Sequence, residues 1–343
     1  MTPCPFTRRC FIGFGLAATV PCISRGAEVR QVLGQGDFRY RVVPGWGMLG
    51  AETPVDNCHG IVCDREGNLI LLTDDVKNNF IVYDSAGRLV HKWGTEFSGA
   101  HGLSLVVENG REVVYFTDLK RHKVFKATPS GEMLDEWGWP ETTGKYAKED
   151  DYRPSWTLHL PDGGFCVLDG YGKDFIIRYG ADGKFVKIFG GLDGGIAHWG
   201  PHGGMVDSRN AADPTLLVAM SDQQSLLRIG LDGTKREEIP MPGGNPRQIR
   251  LHDGHFFLVH LADNWPKDRD SRGFVSILDA DLRVISNLAG TAPRYDEAGI
   301  LQPMRHSEEV FQHPHDLAVG CDGSLYIAQF ASNRTYPIKL ERI

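Results

Sequence analysis

Four histidines occupy matching places along this chain, in Cys58-His59-Gly60-Ile61, Ala100-His101-Gly102-Leu103, Pro201-His202-Gly203-Gly204 and Pro314-His315-Asp316-Leu317. Imidazole is the commonest protein ligand for transition metals and the side chain whose proton exchanges near neutral pH. Histidines that recur at one register of a repeat are therefore candidates for metal binding or proton transfer, provided the fold brings them together. Each head is followed by an apolar run, a turn and a second apolar run. Asp74, Asp118, Tyr171, Asp222 and Gln329 stand at or just beyond the ends of those second runs, and Ser155 and Arg247 take the head position in two further units.

The elements that must position these residues belong to a repeat of about 45 residues. The first copy runs from His59 through a turn at Glu66-Gly67-Asn68, a strand Leu69 to Thr73, a strand Phe80 to Tyr83, a turn at Ser85-Ala86-Gly87 and a strand ending Trp93-Gly94. Short runs of Val, Ile, Leu, Phe and Tyr divided by Asp-Gly or Gly-Asn are strands joined by hairpins. Four strands per unit, arranged radially, make a β-propeller blade. Six units follow one another, and the sixth stops after three strands at Tyr336-Pro337-Ile338-Lys339-Leu340. The segment Phe38-Arg39-Tyr40-Arg41-Val42-Val43-Pro44-Gly45-Trp46-Gly47 has the form of the other closing strands and is expected to complete the sixth blade, removing an exposed sheet edge. The expected fold is all-β: a six-bladed propeller over residues 37–343, with 28–36 as linker.

In such a blade the start of the first strand and the end of the second lie at one mouth of the central channel. His59, His101, Ser155, His202, Arg247 and His315 then form a ring, with Asp74, Tyr171 and Asp222 just outside it. His101, His202 and His315 belong to blades two, four and six, so they approach the axis from directions about 120° apart. Three neutral imidazoles around one point, with a fourth position open, suit a catalytic zinc, which acidifies a bound hydroxyl and polarises an oxygen. The nearby carboxylates are placed to orient imidazole N–H groups. A single head histidine more often packs or forms a hydrogen bond, and it is the alternation that favours a metal. His91, His122, His159, His198, His252, His255, His260, His306 and His313 fall off the ring and read as structural or surface residues.

Composition bounds the rest. The 343 residues carry a formal charge of −7 with 41% hydrophobic and 24% charged side chains, which disfavours nucleic acid or an anionic membrane as partner. Thr7-Arg8-Arg9-Cys10-Phe11-Ile12-Gly13 and the short apolar run after it form a twin-arginine signal, expected to be cleaved near residue 27. This implies export in folded form by the twin-arginine machinery to the periplasm or beyond, with no membrane span in the mature chain, which is expected to be monomeric. Cys58, Cys63, Cys166 and Cys321 show no disulfide framework and are expected to be buried thiols.

His101-Gly102-Leu103, the segment Phe116 to Lys126, Leu168-Asp169-Gly170-Tyr171 and Pro314-His315-Asp316 resemble the NHL-repeat six-bladed propellers, and among them the peptidyl-α-hydroxyglycine α-amidating lyases. The resemblance covers residue 55 to the end. It implies zinc on His101, His202 and His315, and calcium in the channel on the carbonyls of Ile61 and Leu103 and on Asp316. It also implies a part for Tyr171, read here as the general base, in a reaction that splits a peptidyl-α-hydroxyglycine into a peptide amide and glyoxylate. Where that family carries arginines at the second-strand ends of blades one and four, this chain has Asp74 and Asp222. His59 adds a fourth imidazole, and Arg247 supplies a cation from blade five. The expected function is a zinc-dependent, lyase-like enzyme for a small or peptide-like substrate, with Asp74, Asp222 and His59 positioning the substrate or tuning the metal. The alternative is a non-catalytic propeller that binds a protein, peptide or glycan.

Overall fold

A computed structural model describes residues 31–191, 200–264, 267, 268, 270–330 and 334–343. The twin-arginine segment and its cleavage site lie outside the described residues. Six antiparallel sheets follow in chain order, and five of them are four-stranded. Blade one comprises Cys58–Cys63, Leu69–Thr73, Phe80–Tyr83 and Leu89–Trp93, with later blades built the same way.

Local sequence explains the hairpins. Asp64 Oδ1 accepts the N–H groups of Glu66 and Asn68, and Gly67 takes the positive φ that the turn requires. Asp84 closes the next hairpin of the same blade and Asp279 a hairpin of blade five in the same way, and Asp322 accepts the Ser324 N–H in blade six. Second strands such as Leu69–Thr73 and Thr215–Met220 are buried along their whole length because each is covered on both faces by neighbouring blades. Closing strands such as Met133–Trp137 are mostly exposed.

The closing strands also lock each blade to the next. The indole N–H of Trp93 donates to the Pro129 carbonyl (2.9 Å) and that of Trp137 to the Gly183 carbonyl (2.9 Å). Trp46 does the same to Ser85 (3.1 Å), so the N-terminal segment repeats a device of the closing strands. The glycine in these turns is needed because a Cβ on Gly131 would lie 2.8 Å from the Trp93 ring.

The ring closes as expected: Tyr40–Val43 pairs with Ile338–Arg342 in the register Tyr40 to Arg342 and Val43 to Lys339. The structure adds a fifth strand to this sheet, Val32–Leu33, inside the segment expected as linker. Leu33 is buried, and Gln35 exchanges hydrogen bonds with Asn287 of blade five. All four described cysteines are free; Cys58 and Cys166 are buried, whereas Cys63 is half-buried and Cys321 exposed. Burial pushes the Cys166 thiol up to about 12, so it is inert. Among the described residues no helix is long and apolar enough to cross a membrane.

Candidate metal centre

Each histidine head is an extra residue in its strand. In blade one Cys58 pairs with Thr73 and Gly60 with Leu72, leaving His59 unpaired between them. The same bulge falls at His202, Arg247 and His315, and within His101-Gly102 in blade two. A bulge re-aims a side chain that the alternation of a regular strand would send elsewhere. The glycine after His59, His101 and His202 permits neighbouring first strands to approach. A Cβ on Gly102 would lie 2.4 Å from the Ser155 carbonyl oxygen, and one on Gly203 would lie 2.4 Å from that of Arg247.

Those same carbonyls fix the imidazoles. Nδ1 of His101 donates to the Ser155 carbonyl (2.9 Å), Nδ1 of His202 to the Arg247 carbonyl (3.1 Å) and Nδ1 of His315 to the His59 carbonyl (2.7 Å). Each donor comes from an even blade and each acceptor is the head of the next odd blade. A nitrogen facing a carbonyl must carry the proton, so Nε2 of all three rings keeps its lone pair. The rings lie close together, with centroids 4.9 Å apart for His101 and His202, 4.7 Å for His101 and His315, and 4.6 Å for His202 and His315. All three are buried, and burial holds their pKa values well below the ordinary one, leaving neutral imidazoles.

Tyr171 joins the cluster with its hydroxyl 3.2 Å from His101 Nε2 and 3.0 Å from His202 Nε2. One phenolic proton cannot satisfy three imidazole lone pairs. This excess of neutral nitrogen donors fits a borderline-soft cation such as zinc.

His59, expected beside the tripod, is drawn into the cluster. Its ring centroid lies 4.7 Å from that of His101 and 4.9 Å from that of His315. His59, His101 and His315 bring ligand atoms within 4.8 Å of one another, so the chain has a candidate metal centre in which His59 takes part. His59 differs from the other three in its hydrogen bonding. Its Nδ1 is buried without a partner, and its Nε2 lies 3.7 Å from Asp74 Oδ2. Asp74 is held by the backbone N–H and side-chain amide of Asn57, both at 2.9 Å. Burial works against the Asp74 carboxylate, but the neighbouring His59 imidazole and the hydrogen bonds from Asn57 outweigh it and hold its pKa below the ordinary value.

A cavity of about 330 Å³ opens beside the imidazoles, lined by Tyr171, His202, Asp222, Arg247, His315 and Phe330 among others. Arg247 Nη1 lies 3.5 Å from the Tyr171 hydroxyl. Tyr171 is 40% exposed overall, but its hydroxyl is set among the imidazoles; enclosure there raises its pKa, and the Arg247 guanidinium pulls against that rise. The loop presenting Tyr171 is tied down by Asp169, which accepts the N–H groups of Arg153 and Lys173 (both 2.7 Å) and the Tyr146 hydroxyl (2.8 Å). Asn57, Asp169 and Phe330 were not foreseen as part of the site. Asp169 ends an apolar run as Asp74 does and could have been found on that ground. Two other expected neighbours sit elsewhere: Asp118 closes its own turn through Lys120 and Arg121, and Gln329 is buried and accepts the Gln312 N–H.

The calcium expected on Ile61, Leu103 and Asp316 does not fit these residues. Arg250, from the first strand of blade five, reaches across the channel and puts Nη2 at 3.0 and 2.8 Å from the two Asp316 oxygens and 3.4 Å from the Leu103 carbonyl. Ile61 meets Asp316 through its N–H (2.9 Å). A guanidinium thus occupies the place of the cation, satisfying the carboxylate and carbonyl that calcium would need.

No family model matches the chain. Peptidyl-alpha-hydroxyglycine alpha-amidating lyase 1 of Drosophila melanogaster is 24% identical over 275 residues, covering 74% of this chain and 47% of that protein. The chain therefore spans about half the length of the curated relative it matches. Among solved structures, a streptogramin B lyase superposes with a TM-score of 0.56 at 18% identity, covering 85% of this chain and 95% of the other. A catalytically inactive His-to-Ala variant of virginiamycin B lyase from Staphylococcus aureus, bound to quinupristin, gives 0.54 at 14% identity over 91% of this chain and 100% of the other. At such identities these two structures establish likeness of fold alone. The chain is a six-bladed β-propeller that distantly resembles an α-amidating lyase, shares its fold with the streptogramin B lyases and carries buried histidines able to hold a metal ion.

Proposed function

We propose that this chain is an exported, zinc-dependent lyase that cleaves at a hydroxylated carbon of a small or peptide-like substrate in the periplasm or outside the cell. The observation that carries the reading is the alternating hydrogen-bond pattern, in which three even-blade imidazoles spend Nδ1 on odd-blade carbonyls and turn the Nε2 lone pair toward the cluster. His101, His202 and His315 would hold the ion, with the unpartnered Nδ1 of His59 beside them as a further donor. A bound zinc supplies Lewis acidity toward a substrate oxygen.

The remaining chemistry falls to the chain's own groups. In the cleavage, a base takes the hydroxyl proton, the C–O bond becomes a carbonyl, the C–N bond breaks, and the departing nitrogen takes up a proton. Tyr171 is the proposed base: enclosure raises its pKa, and Arg247, 3.5 Å from its oxygen, is the group that counters that rise. Asp74 orients His59, which is the second group near the cluster able to carry a proton. Asp222 lies on the cavity wall and positions substrate.

Metal analysis of the purified protein and of His101→Ala and His202→Ala is the test, together with glyoxylate release from α-hydroxyglycine compounds. One zinc per chain, lost in both variants along with activity, supports the reading. No stoichiometric zinc in the intact protein would sink it. Stoichiometric zinc without turnover would leave a ligand-binding propeller, the alternative that the aspartates at the arginine positions favour.

A further inference from the structure

We infer that the cavity beside the imidazoles takes a small zwitterion, its carboxylate on Arg247 and its ammonium group on Asp222. The inference rests on the proposed site and names the substrate class that the site selects. Arg247 is the head of blade five and is only 7% exposed. Its Nε is buried without a hydrogen-bond partner, and the side chain forms no ion pair among the described residues. A guanidinium taken out of water without a counter-ion is costly, so it is matched when an anion enters. Its polar contact on the cavity side is the Tyr171 hydroxyl, at 3.5 Å, so an anion bound there has its neighbouring carbon beside Tyr171 and the imidazoles.

Asp222 supplies the other end. It lines the same cavity, is exposed, and forms no ion pair among the described residues with Arg247 or any other cation. Two opposite charges face one cavity of about 330 Å³ without neutralising each other, which suits a ligand that brings the complementary pair. An N-acylated ligand has no cation to offer Asp222. The exposed carboxylate therefore selects a free amine over an amide nitrogen, while the buried guanidinium provides most of the affinity.

The test is calorimetric titration of the purified protein with serine, N-acetylserine and serinamide, which share one frame but carry both charges, the negative one alone and the positive one alone. Serine should bind more tightly than N-acetylserine by about fivefold, the worth of an exposed ion pair. It should bind more tightly than serinamide by roughly ten- to a hundredfold, the worth of charge-assisted bonds to a buried guanidinium. Asp222→Asn should erase the first preference and keep the second, and Arg247→Met should erase the second. Should Arg247→Met fail to fold, Arg247→Lys keeps the charge but not the fork and should bind serine more weakly while still preferring it to serinamide.

N-acetylserine binding as tightly as serine, or no detectable binding of any probe, would overturn the inference. Metal content is measured on the same samples, and the titration is repeated after chelation. A charge preference in protein that holds no zinc as purified leaves this inference standing while the metal reading falls. Stoichiometric zinc without the preference does the reverse. A preference that survives chelation shows that the two charges act without the metal.

Discussion

Replacing Arg250 with glutamine leaves Asp316 buried and removes its counter-ion. Asp316 is 0% exposed and accepts the N–H groups of Ile61 (2.9 Å) and Leu317 (2.8 Å) besides the guanidinium. Removing one partner of a buried ion pair costs about 3–5 kcal/mol. Two backbone donors stay on the carboxylate, and the Arg250 side chain is 24% exposed, so water reaches the gap. The low end applies, about 3 kcal/mol, which in a domain of this size lowers the melting midpoint by roughly 4–5 °C. The pH dependence has a definite sign. Burial pushes the Asp316 carboxyl up to about 6 against the pull of Arg250, and without Arg250 it moves higher. The deficit is therefore complete at a pH above the variant's raised pKa, and it shrinks as the pH falls below that value and then below the wild-type one, where Asp316 is neutral in both proteins. Urea and thermal unfolding of both proteins at about pH 8 and about pH 5 measures this, with and without millimolar calcium. A variant within about 1 kcal/mol of wild type at the higher pH would refute the reasoning, as would a deficit that grows on acidification. So would a wild-type midpoint that calcium raises by several degrees, because the guanidinium would then not be filling the cation's place.

Tyr171→Phe removes one oxygen next to the imidazoles. It should keep zinc and lower turnover about a hundredfold to ten-thousandfold, so a variant with near wild-type kcat would remove Tyr171 from the base role. Gly102→Ala places a Cβ 2.4 Å from the carbonyl that holds His101 Nδ1, so it should both destabilise the fold and weaken metal binding. About 1–3 kcal/mol and a roughly ten- to hundredfold loss of zinc affinity are expected, measured by unfolding and by chelator competition; unchanged zinc affinity would mean the carbonyl does not matter to the centre. Deleting the chain through Val43 strips the partner from Ile338–Arg342 and bares a sheet edge. Soluble, monomeric protein after that deletion, judged by size-exclusion chromatography, would show that the N-terminal strand is not what closes the ring.

Much of the fold was legible because propeller strands are set by local chemistry. Asp64-Arg65-Glu66-Gly67 makes its own turn, the runs beside it alternate or stay apolar according to their layer, and Trp46-Gly47 repeats the signature of Trp93-Gly94 at the far end of the chain. Val32–Leu33 escaped notice because two residues carry no periodicity, and their place depends on Gln35 finding Asn287 in blade five. Asn57 escaped because its role is to hold Asp74 across a hairpin, which neither residue type announces.

The sequence by itself determined six blades, their closure and the common register of the four histidines, since a repeat transmits its geometry to every copy. Only the tertiary structure decided what each head does. Bulges turn the heads inward, and contacts between blades pin Nδ1 of His101, His202 and His315 while leaving that of His59 unpartnered. It also decided that the cation facing Asp316 is Arg250, sixty-six residues away in the chain. Hydrogen bonds and charges that cross from blade to blade depend on distances in space, and no local pattern of residues encodes those.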